Sequence, residues 1–221
     1  MKSEVAHQVF YIAVLVSGGG TNLQSLIDQI QDGRLENVAI SCVIASRADC
    51  FAIRRAEEAG IPVRIVSRKD FNNPVDYDTG LLEALRPFPV DLVVLAGFLS
   101  LLGPRVIQAY QHRIINIHPS LIPSFCGPGF FGIKTHEAAL SYGVRITGAT
   151  VHVVDTEYDH GPIILQKAVY VRPDDTPQTL QKRVMIEAEQ QLLPEAVALF
   201  AAGRIEIKNG HATIRKGEME K

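Results

Sequence analysis

The sequence predicts a Rossmann-like α/β fold, a three-layer α/β/α sandwich. Its central sheet is mainly parallel and has an antiparallel C-terminal extension. Apolar, β-branched runs of the kind found in strands buried on both faces recur along the first half of the chain. Segments with apolar residues at helical spacing separate these runs, and strands joined through helices form parallel sheets. Two later β-branched segments are joined by a short loop, which indicates an antiparallel pair that extends the sheet.

A glycine loop, Gly18–Asn22, joins the first predicted strand, Val9–Ser17, to a helix predicted over Leu23–Ile30. This order is that of Rossmann-like folds, in which backbone N–H groups at the helix start are well placed to bind a phosphate. A tight turn with a capping Thr is the alternative interpretation. The candidate phosphate-binding residues are Gly19, Gly20, Thr21 and Asn22.

The glycine loop lacks two stronger nucleotide-binding fingerprints. The dinucleotide pattern needs a third glycine where Leu23 stands, and the P-loop needs a Gly-Lys-Ser/Thr that is absent. The second strand, Val38–Ala45, ends in Ser46-Arg47 rather than in an acidic residue that would bind a ribose hydroxyl. Because Arg47 could contact a 2′-phosphate, an NADP-binding oxidoreductase remains an alternative.

The middle of the chain continues the alternation. Helices are predicted at Ala52–Ala59 and Val75–Leu85, and strands at Pro62–Val66 and Val90–Ala96. The last of these strands leads into Gly97–Gly103, an apolar segment that we call the shelf. A shelf at the end of a strand can hold an aromatic heterocycle, although core packing is the commoner explanation.

The segment Ile114–Pro123 carries the strongest chemical signal. Asn116 and His118 are two residues apart on a predicted strand, so their side chains face the same way. Pro119 cannot continue a central strand, which places the pair at the carboxyl end, where α/β sheets bind their ligands. A carboxamide beside an imidazole suggests carbonyl chemistry, and a capped strand end is the alternative.

Beyond this segment the periodicity changes. A loop rich in Gly and aromatic residues, Ser124–Gly132, is predicted to line the site or an interface. Asp159 lies in a turn-rich loop, Asp155–Pro162, between the two strands of the antiparallel pair. The remaining predicted elements are helices at Lys134–Ser141 and Thr176–Ala202, the latter kinked or divided at Pro194, strands at Arg145–Val154 and Ile163–Val171, and a hairpin at Ile205–Ile214 with an Asn209-Gly210 turn.

Composition excludes several classes of function. The 221 residues are 47% hydrophobic and carry 22 Lys and Arg against 24 Asp and Glu, a formal charge of −2. This balance lacks the basic footprint of a nucleic-acid or membrane-surface protein, so we expect small-molecule partners. Three cysteines without a C-x-x-C pair favour reduced thiols, and no apolar run reaches the ~20 residues of a membrane span. We therefore expect a cytoplasmic protein without a metal site.

Four motifs together resemble the phosphoribosylglycinamide formyltransferase family, the folate-dependent enzymes of purine synthesis. The likeness extends over nearly all of Val9–Arg204. The Asn-x-His-Pro-Ser segment is shared with formyltetrahydrofolate deformylases and methionyl-tRNA formyltransferases, and the glycine loop narrows the resemblance to the glycinamide ribonucleotide enzymes. The four motifs are Ser17–Gln24 (SGGGTNLQ), Asn116–Pro123 (NIHPSLIP), Gly148–His152 (GATVH) and Asp159–Gln166 (DHGPIILQ).

The resemblance implies transfer of a formyl group from 10-formyltetrahydrofolate, as co-substrate, to the amine of glycinamide ribonucleotide, in de novo purine (IMP) synthesis. A formyltetrahydrofolate hydrolase is the alternative within this chemistry. We expect a single domain over 1–221, with a nucleotide-binding half over about 9–110 and a catalytic and folate half over about 111–204. A monomer or a homodimer is expected.

The resemblance also implies roles for individual residues. Asn116 and a protonated His118 would donate hydrogen bonds to the oxyanion, and Asp159 would favour the imidazolium. From sequence alone a turn residue is the favoured interpretation of Asp159, and Asp155 is a rival less well aligned with Gly161-Pro162. A carboxylate at Glu189, or at Glu187, would contact the ribonucleotide. The folate would contact Asn116 and the backbone of Leu99, Ser100, Leu101 and Leu102.

Two departures from the family pattern concern substrate contacts. An Arg that the family often has near Pro74 is absent, although Arg68 and Lys69 lie close in sequence. Ser100 stands where several relatives have Arg. A main-chain hydrogen bond does not depend on the side chain, so the expected folate contacts survive this change.

Overall fold

The computed structural model describes residues 8–216, and its centre is a seven-stranded sheet with the strand order β3-β2-β1-β4-β5-β6-β7. The first five strands run parallel, and β6 and β7 add as antiparallel neighbours beyond β5. The predicted mixed α/β sheet is confirmed. The strands are β1 Phe10–Val16, β2 Val38–Ala45, β3 Val63–Ile65, β4 Leu92–Leu95, β5 Ile114–His118, β6 Ile146–Val153 and β7 Ile163–Tyr170.

Helices cover both faces of the sheet. The alternate side chains of β1 show this, because Ile12 and Val14 pack with α1, α2 and α7, whereas Ala13 and Leu15 pack with α3 and α4. None of the helices within residues 8–216 is long and apolar enough to cross a membrane. The helices are α1 Thr21–Gln31, α2 Phe51–Glu58, α3 Pro74–Leu85, α4 Pro104–Ala109, α5 Ile133–Tyr142, α6 Pro177–Val184 and α7 Gln190–Ala201.

The long C-terminal helix is interrupted, but not where its proline predicts. A π-helical segment, Met185–Glu189, separates α6 from α7, and α7 continues through Pro194. Because Pro194 has no N–H, the carbonyl four residues earlier, that of Gln190, has no donor within the helix. The hydroxyl of Ser25 on α1 donates to that carbonyl at 3.0 Å. Packing against α1 thus compensates the proline, and of the two predicted outcomes at Pro194, a kink or a division, the division is wrong.

The sequence analysis also missed α4, a helix of only six residues that follows the shelf. Its start depends on Asp78 of α3, whose carboxylate accepts the backbone N–H groups of Gly103 at 3.0 Å and Arg105 at 2.8 Å. A third N–H, that of Val106, lies at 3.3 Å. Asp78 is only 1% exposed. A side chain from a different helix thus satisfies this helix start, which no local capping pattern could reveal.

The predicted hairpin at the C-terminus is confirmed. β8 (Ile205–Lys208) and β9 (His211–Ile214) form a separate two-stranded antiparallel sheet joined by Asn209-Gly210. Both turn residues have positive φ, 51° and 76°, the geometry that this dipeptide favours.

Replacing Asp78 by Ala should lower the free energy of unfolding by roughly 1–3 kcal/mol, because buried N–H groups lose their acceptor. Urea unfolding followed by circular dichroism measures this. The matched control Asp174→Ala removes an exposed carboxylate and should change the free energy by less than about 0.5 kcal/mol. Equal effects of the two substitutions would contradict the capping role of Asp78.

Candidate active site

The segments that sequence analysis singled out converge on the carboxyl edge of the parallel strands. The glycine loop follows β1, the shelf follows β4, and Asn116 and His118 end β5. In the sheet β4 lies between β1 and β5, so the three segments are neighbours in space. This is the edge at which open α/β sheets bind ligands.

A cluster of four polar side chains forms around the end of β5. The carboxylate of Asp159 lies 3.4 Å from Asn116 Nδ2, 3.6 Å from His118 Nδ1 and 3.6 Å from His152 Nε2. We call Asn116, His118, His152 and Asp159 the Asp159 cluster. The imidazoles of His118 and His152 and the Asp159 carboxylate are at least nine-tenths buried.

His152 belongs to this cluster although the sequence analysis gave it no role. It lies on β6 directly opposite Asn116 in the antiparallel ladder between β5 and β6. Its Nε2 lies 3.1 Å from Asn116 Nδ2. The signal was present in the alternation of β6, which puts Thr150 and His152 on one face, but the register that pairs His152 with Asn116 is a tertiary fact.

Hydrogen bonds assign the proton positions of both imidazoles. His118 Nε2 lies 2.9 Å from the carbonyl of Phe125, and His152 Nδ1 lies 3.0 Å from the carbonyl of Val153. Only a ring N–H can bind a carbonyl oxygen, so these nitrogens carry the hydrogens. In the neutral rings, His118 Nδ1 and His152 Nε2 are therefore the unprotonated nitrogens, and both face Asp159.

Burial and charge act in opposite directions on His118. Burial lowers the pKa of the imidazole, while the Asp159 carboxylate and the Phe125 carbonyl raise it, and burial is the larger effect. The pKa of His118 therefore lies below its ordinary value. Asp159 does favour the imidazolium, as expected, but burial outweighs this effect, and the sequence does not reveal the depth of burial.

Asp159 is held ionised by its surroundings. Burial raises the pKa of the carboxyl, but the neighbouring imidazoles of His152 and His118 and the Gly127 N–H together lower it below its ordinary value. The Gly127 N–H donates to Oδ2 at 2.8 Å, so the 124–132 loop is tied to the carboxylate. Asp159 itself has a φ of 50°, in the left-handed region.

The rival carboxylate, Asp155, lies outside the cluster. Its Oδ1 accepts the backbone N–H of Glu157 at 2.9 Å, and its Oδ2 lies 3.5 Å from His160 Nδ1. The imidazole of His160 is 68% exposed. Asp155 is thus a turn residue, and Asp159 is the carboxylate that meets the end of β5.

At the glycine loop, the first turn of α1 meets the π-helical segment. Asn22 Nδ2 donates to Glu189 Oε2 at 2.8 Å, whereas Glu187 is exposed. Burial raises the pKa of Glu189, and the Asn22 contact lowers it by less. Asn22 is 7% exposed, and its Oδ1 has no hydrogen-bond donor within the described residues. This buried acceptor is suited to a ligand hydroxyl.

The shelf presents apolar side chains at the same edge. Leu99 is 57% exposed and Leu101 is 62% exposed, while Ser100 and Leu102 are half-buried. The Leu99 N–H donates to Ser17 Oγ at 2.8 Å, which joins the shelf to the residue just before the glycine loop. Exposed leucines on a fixed backbone are a surface on which a flat heterocycle can lie.

Arg68 is held by Phe71 and by Tyr77 of α3. Its Nη1 donates to the Phe71 carbonyl at 2.9 Å, and its guanidinium lies 6.0 Å from the centre of the Tyr77 ring. Pro74, near which the resemblance implied an Arg, is the first residue of α3.

Comparisons with known sequences identify relatives that align with most of this chain. Residues 10–197 match the formyl transferase family. The phosphoribosylglycinamide formyltransferase of Haemophilus influenzae is 38% identical over 201 residues, which cover 91% of this chain and 92% of that protein. The trifunctional purine biosynthetic protein adenosine-3 of Homo sapiens is 42% identical over 200 residues, 90% of this chain. The chain spans only 19% of the length of that human protein.

Solved structures show the same architecture. Glycinamide ribonucleotide transformylase 1 from Symbiobacterium toebii has a TM-score of 0.88 at 39% identity, with 96% of both chains covered. A formyltetrahydrofolate deformylase from Pseudomonas syringae pv. tomato has a TM-score of 0.84 at 26% identity, with 95% of this chain and 67% of that chain covered. The fold is common to both proteins, and the sequence identity is higher to the transformylase.

Replacing Asp159 by Asn should lower the pKa of His118 further, because the carboxylate charge that favours the imidazolium is lost. Titration of the His118 ring by ¹⁵N NMR measures this pKa directly. Asp155→Asn, in the same loop but outside the cluster, is the matched control and should leave the pKa of His118 unchanged. A pKa that stays constant in Asp159→Asn, or falls equally in both variants, would show that Asp159 does not act on His118.

Proposed function

The chain belongs to the formyl transferase family, among the phosphoribosylglycinamide formyltransferases, and from that membership we propose the reaction that its own residues carry out. The Asp159 cluster transfers the formyl group of 10-formyltetrahydrofolate to the amine of glycinamide ribonucleotide. The products are formylglycinamide ribonucleotide and tetrahydrofolate, in de novo purine synthesis. The observation that carries the proposal is the convergence of Asn116, His118 and Asp159 at the carboxyl end of β5.

The first step is attack of the neutral amine on the formyl carbon. A new C–N bond forms, and the π electrons of the carbonyl move onto its oxygen. Two N–H donors stabilise that oxyanion: Asn116 Nδ2 and the protonated Nδ1 of His118, which face the same space. The two hydrogens of Asn116 Nδ2 are directed to His152 at 3.1 Å and to Asp159 at 3.4 Å. The hydrogen directed to Asp159 makes the longer contact, and it is the one that binds the oxyanion instead.

The second step moves a proton and breaks the bond to the folate. The oxyanion electrons re-form the carbonyl as the C–N bond to the folate breaks, the attacking amine loses a proton, and the departing folate nitrogen gains one. Asp159 is held ionised and lies at the centre of the cluster, so it is suited to pass this proton through a water molecule. His152 is a positioning residue, because its Nε2 accepts one hydrogen of Asn116 and thereby orients the amide.

The two substrates occupy opposite sides of this centre. The ribonucleotide phosphate binds the N–H groups of Gly19, Gly20, Thr21 and Asn22 at the start of α1, and Glu189 contacts the sugar. The buried Oδ1 of Asn22 accepts a hydrogen bond from a hydroxyl of the sugar. The folate heterocycle lies on the shelf, against Leu99 and Leu101, where the backbone of Leu99, Ser100, Leu101 and Leu102 binds its polar edge.

A folate-product absorbance assay, with and without glycinamide ribonucleotide, tests the function. Product that forms only with the ribonucleotide supports the transferase, and Asn116→Ala should then lower kcat by roughly 10²–10³-fold, the usual effect of losing one oxyanion donor. Asn209→Gly, in the distant β8–β9 turn, is the control and should keep full activity. Formate release without the amine would indicate a hydrolase, and no product under either condition would refute the proposal.

Glu189→Gln should raise the KM for the ribonucleotide by roughly 10- to 100-fold, because a charged hydrogen-bond acceptor is lost from the sugar site. The KM for the folate should change little. Glu187→Gln is the matched control, since Glu187 lies two residues away and is exposed. Steady-state kinetics with each substrate varied in turn measures both values. A larger effect of Glu187→Gln would assign the contact to Glu187 instead.

A further inference from the structure

One cation contacts the glycine loop and has no role in the reaction described above. Arg55 of α2 donates from Nε to the Gly19 carbonyl at 2.8 Å and from Nη1 to Gln24 Oε1 at 2.9 Å. Its guanidinium carbon lies 5.0 Å from the centre of the Phe51 ring. These three contacts fix the guanidinium plane beside the glycine loop.

Helix α2 binds two carbonyl groups of the glycine loop. The Ala52 N–H donates to the Gly18 carbonyl at 3.1 Å, and Arg55 binds the next carbonyl, that of Gly19. With two successive carbonyls bound to α2, the N–H groups at the start of α1 stay available for an anion.

The loop needs a positive charge from elsewhere. Gly19, Gly20, Thr21 and Asn22 carry none, and the ionisable group that Asn22 contacts is a carboxyl, Glu189. A phosphate monoester carries a charge of about −1.5 to −2 near neutral pH. The helix start contributes only about half an elementary charge. A phosphate bound next to Glu189 therefore requires a cation.

Arg55 is available for this role, whereas its neighbour is not. Arg54 Nε pairs with Glu58 Oε1 at 2.7 Å. Among residues 8–216, no carboxylate oxygen lies within 4.0 Å of Arg55, and Nη2 of Arg55 has no hydrogen-bond acceptor. The Arg55 guanidinium is thus oriented by neutral groups, and its charge and one amino group remain unpaired.

We propose that Arg55 binds the phosphate of the ribonucleotide through Nη2 and sets the preference of the enzyme for a phosphorylated acceptor over an unphosphorylated one. The inference rests on the proposed function, because it assigns the phosphate of that substrate to the glycine loop. It adds a specificity-determining residue on α2 to a site otherwise built from α1 and the π-helical segment.

The test compares two acceptors, glycinamide ribonucleotide and its dephosphorylated riboside, in the formyl-transfer assay. The measured quantity is the ratio of the two kcat/KM values. Arg55→Gln should lower this ratio by roughly 10- to 100-fold, the usual effect of losing a charge-assisted hydrogen bond, and should leave the KM for the folate unchanged. Arg55→Lys keeps the charge and should retain a larger ratio than Arg55→Gln. Arg54→Gln, the matched control, should stay within about twofold of wild type.

Inorganic phosphate is a second probe, since it should inhibit the wild type competitively against the ribonucleotide and inhibit Arg55→Gln more weakly. Two results would overturn the inference. An equal loss of kcat/KM with both acceptors in Arg55→Gln would mean that Arg55 only shapes the loop. Unchanged kcat/KM values with both acceptors would mean that Arg55 has no role at the site.

Failure of the proposed function is distinguishable from failure of this inference. Ribonucleotide binding by the same variants, measured by calorimetry, is independent of turnover. A wild type that binds the ribonucleotide more tightly than Arg55→Gln, but transfers no formyl group, would refute the function and retain the phosphate contact. An active wild type with an unchanged ratio in Arg55→Gln would refute the contact alone.

Discussion

The buried carboxylate of Asp159 is the constraint on which the candidate site depends. An ionised carboxylate is costly to remove from water unless donors surround it. Its partners come from three separate parts of the chain: the end of β5, the 124–132 loop and the end of β6. Ionisation of this one group therefore requires that all three segments be in place, and the geometry of Asn116 and His118 follows from it.

The same burial sets the character of the imidazole. A more exposed His118 beside Asp159 would be protonated more readily, but the low-polarity surroundings favour the neutral ring. An imidazole with a lowered pKa holds its proton weakly and is a stronger acid when charged. Such a group suits a step in which negative charge develops on a nearby oxygen. That developing charge stabilises the protonated imidazole.

A second set of contacts joins distant parts of the sequence beside the glycine loop. Asn22 and Glu189 are 167 positions apart, and Ser25 and the Gln190 carbonyl are 165 apart. The missing N–H of Pro194 makes the Gln190 carbonyl available, and the π-helical segment just before it carries Glu189 toward α1. The π-helical segment and Pro194 thus provide the groups that contact the first turns of α1, and Glu189 lies beside the glycine loop as a result.

The sequence by itself determined the order of the strands and of most helices, the glycine loop, and the facing of Asn116 and His118, because periodicity and turn chemistry are local properties. It also ranked Asp159 above Asp155 through the resemblance. Only the tertiary structure decided that His152 lies opposite Asn116, that Asp78 caps α4, that α7 runs through Pro194, and that Arg55 contacts Gly19. Each of these depends on strand register or on packing between segments far apart in sequence. The tertiary structure also decided the direction of the pKa shift of His118. Burial depends on all the neighbours of a side chain, and no short stretch of sequence reveals it.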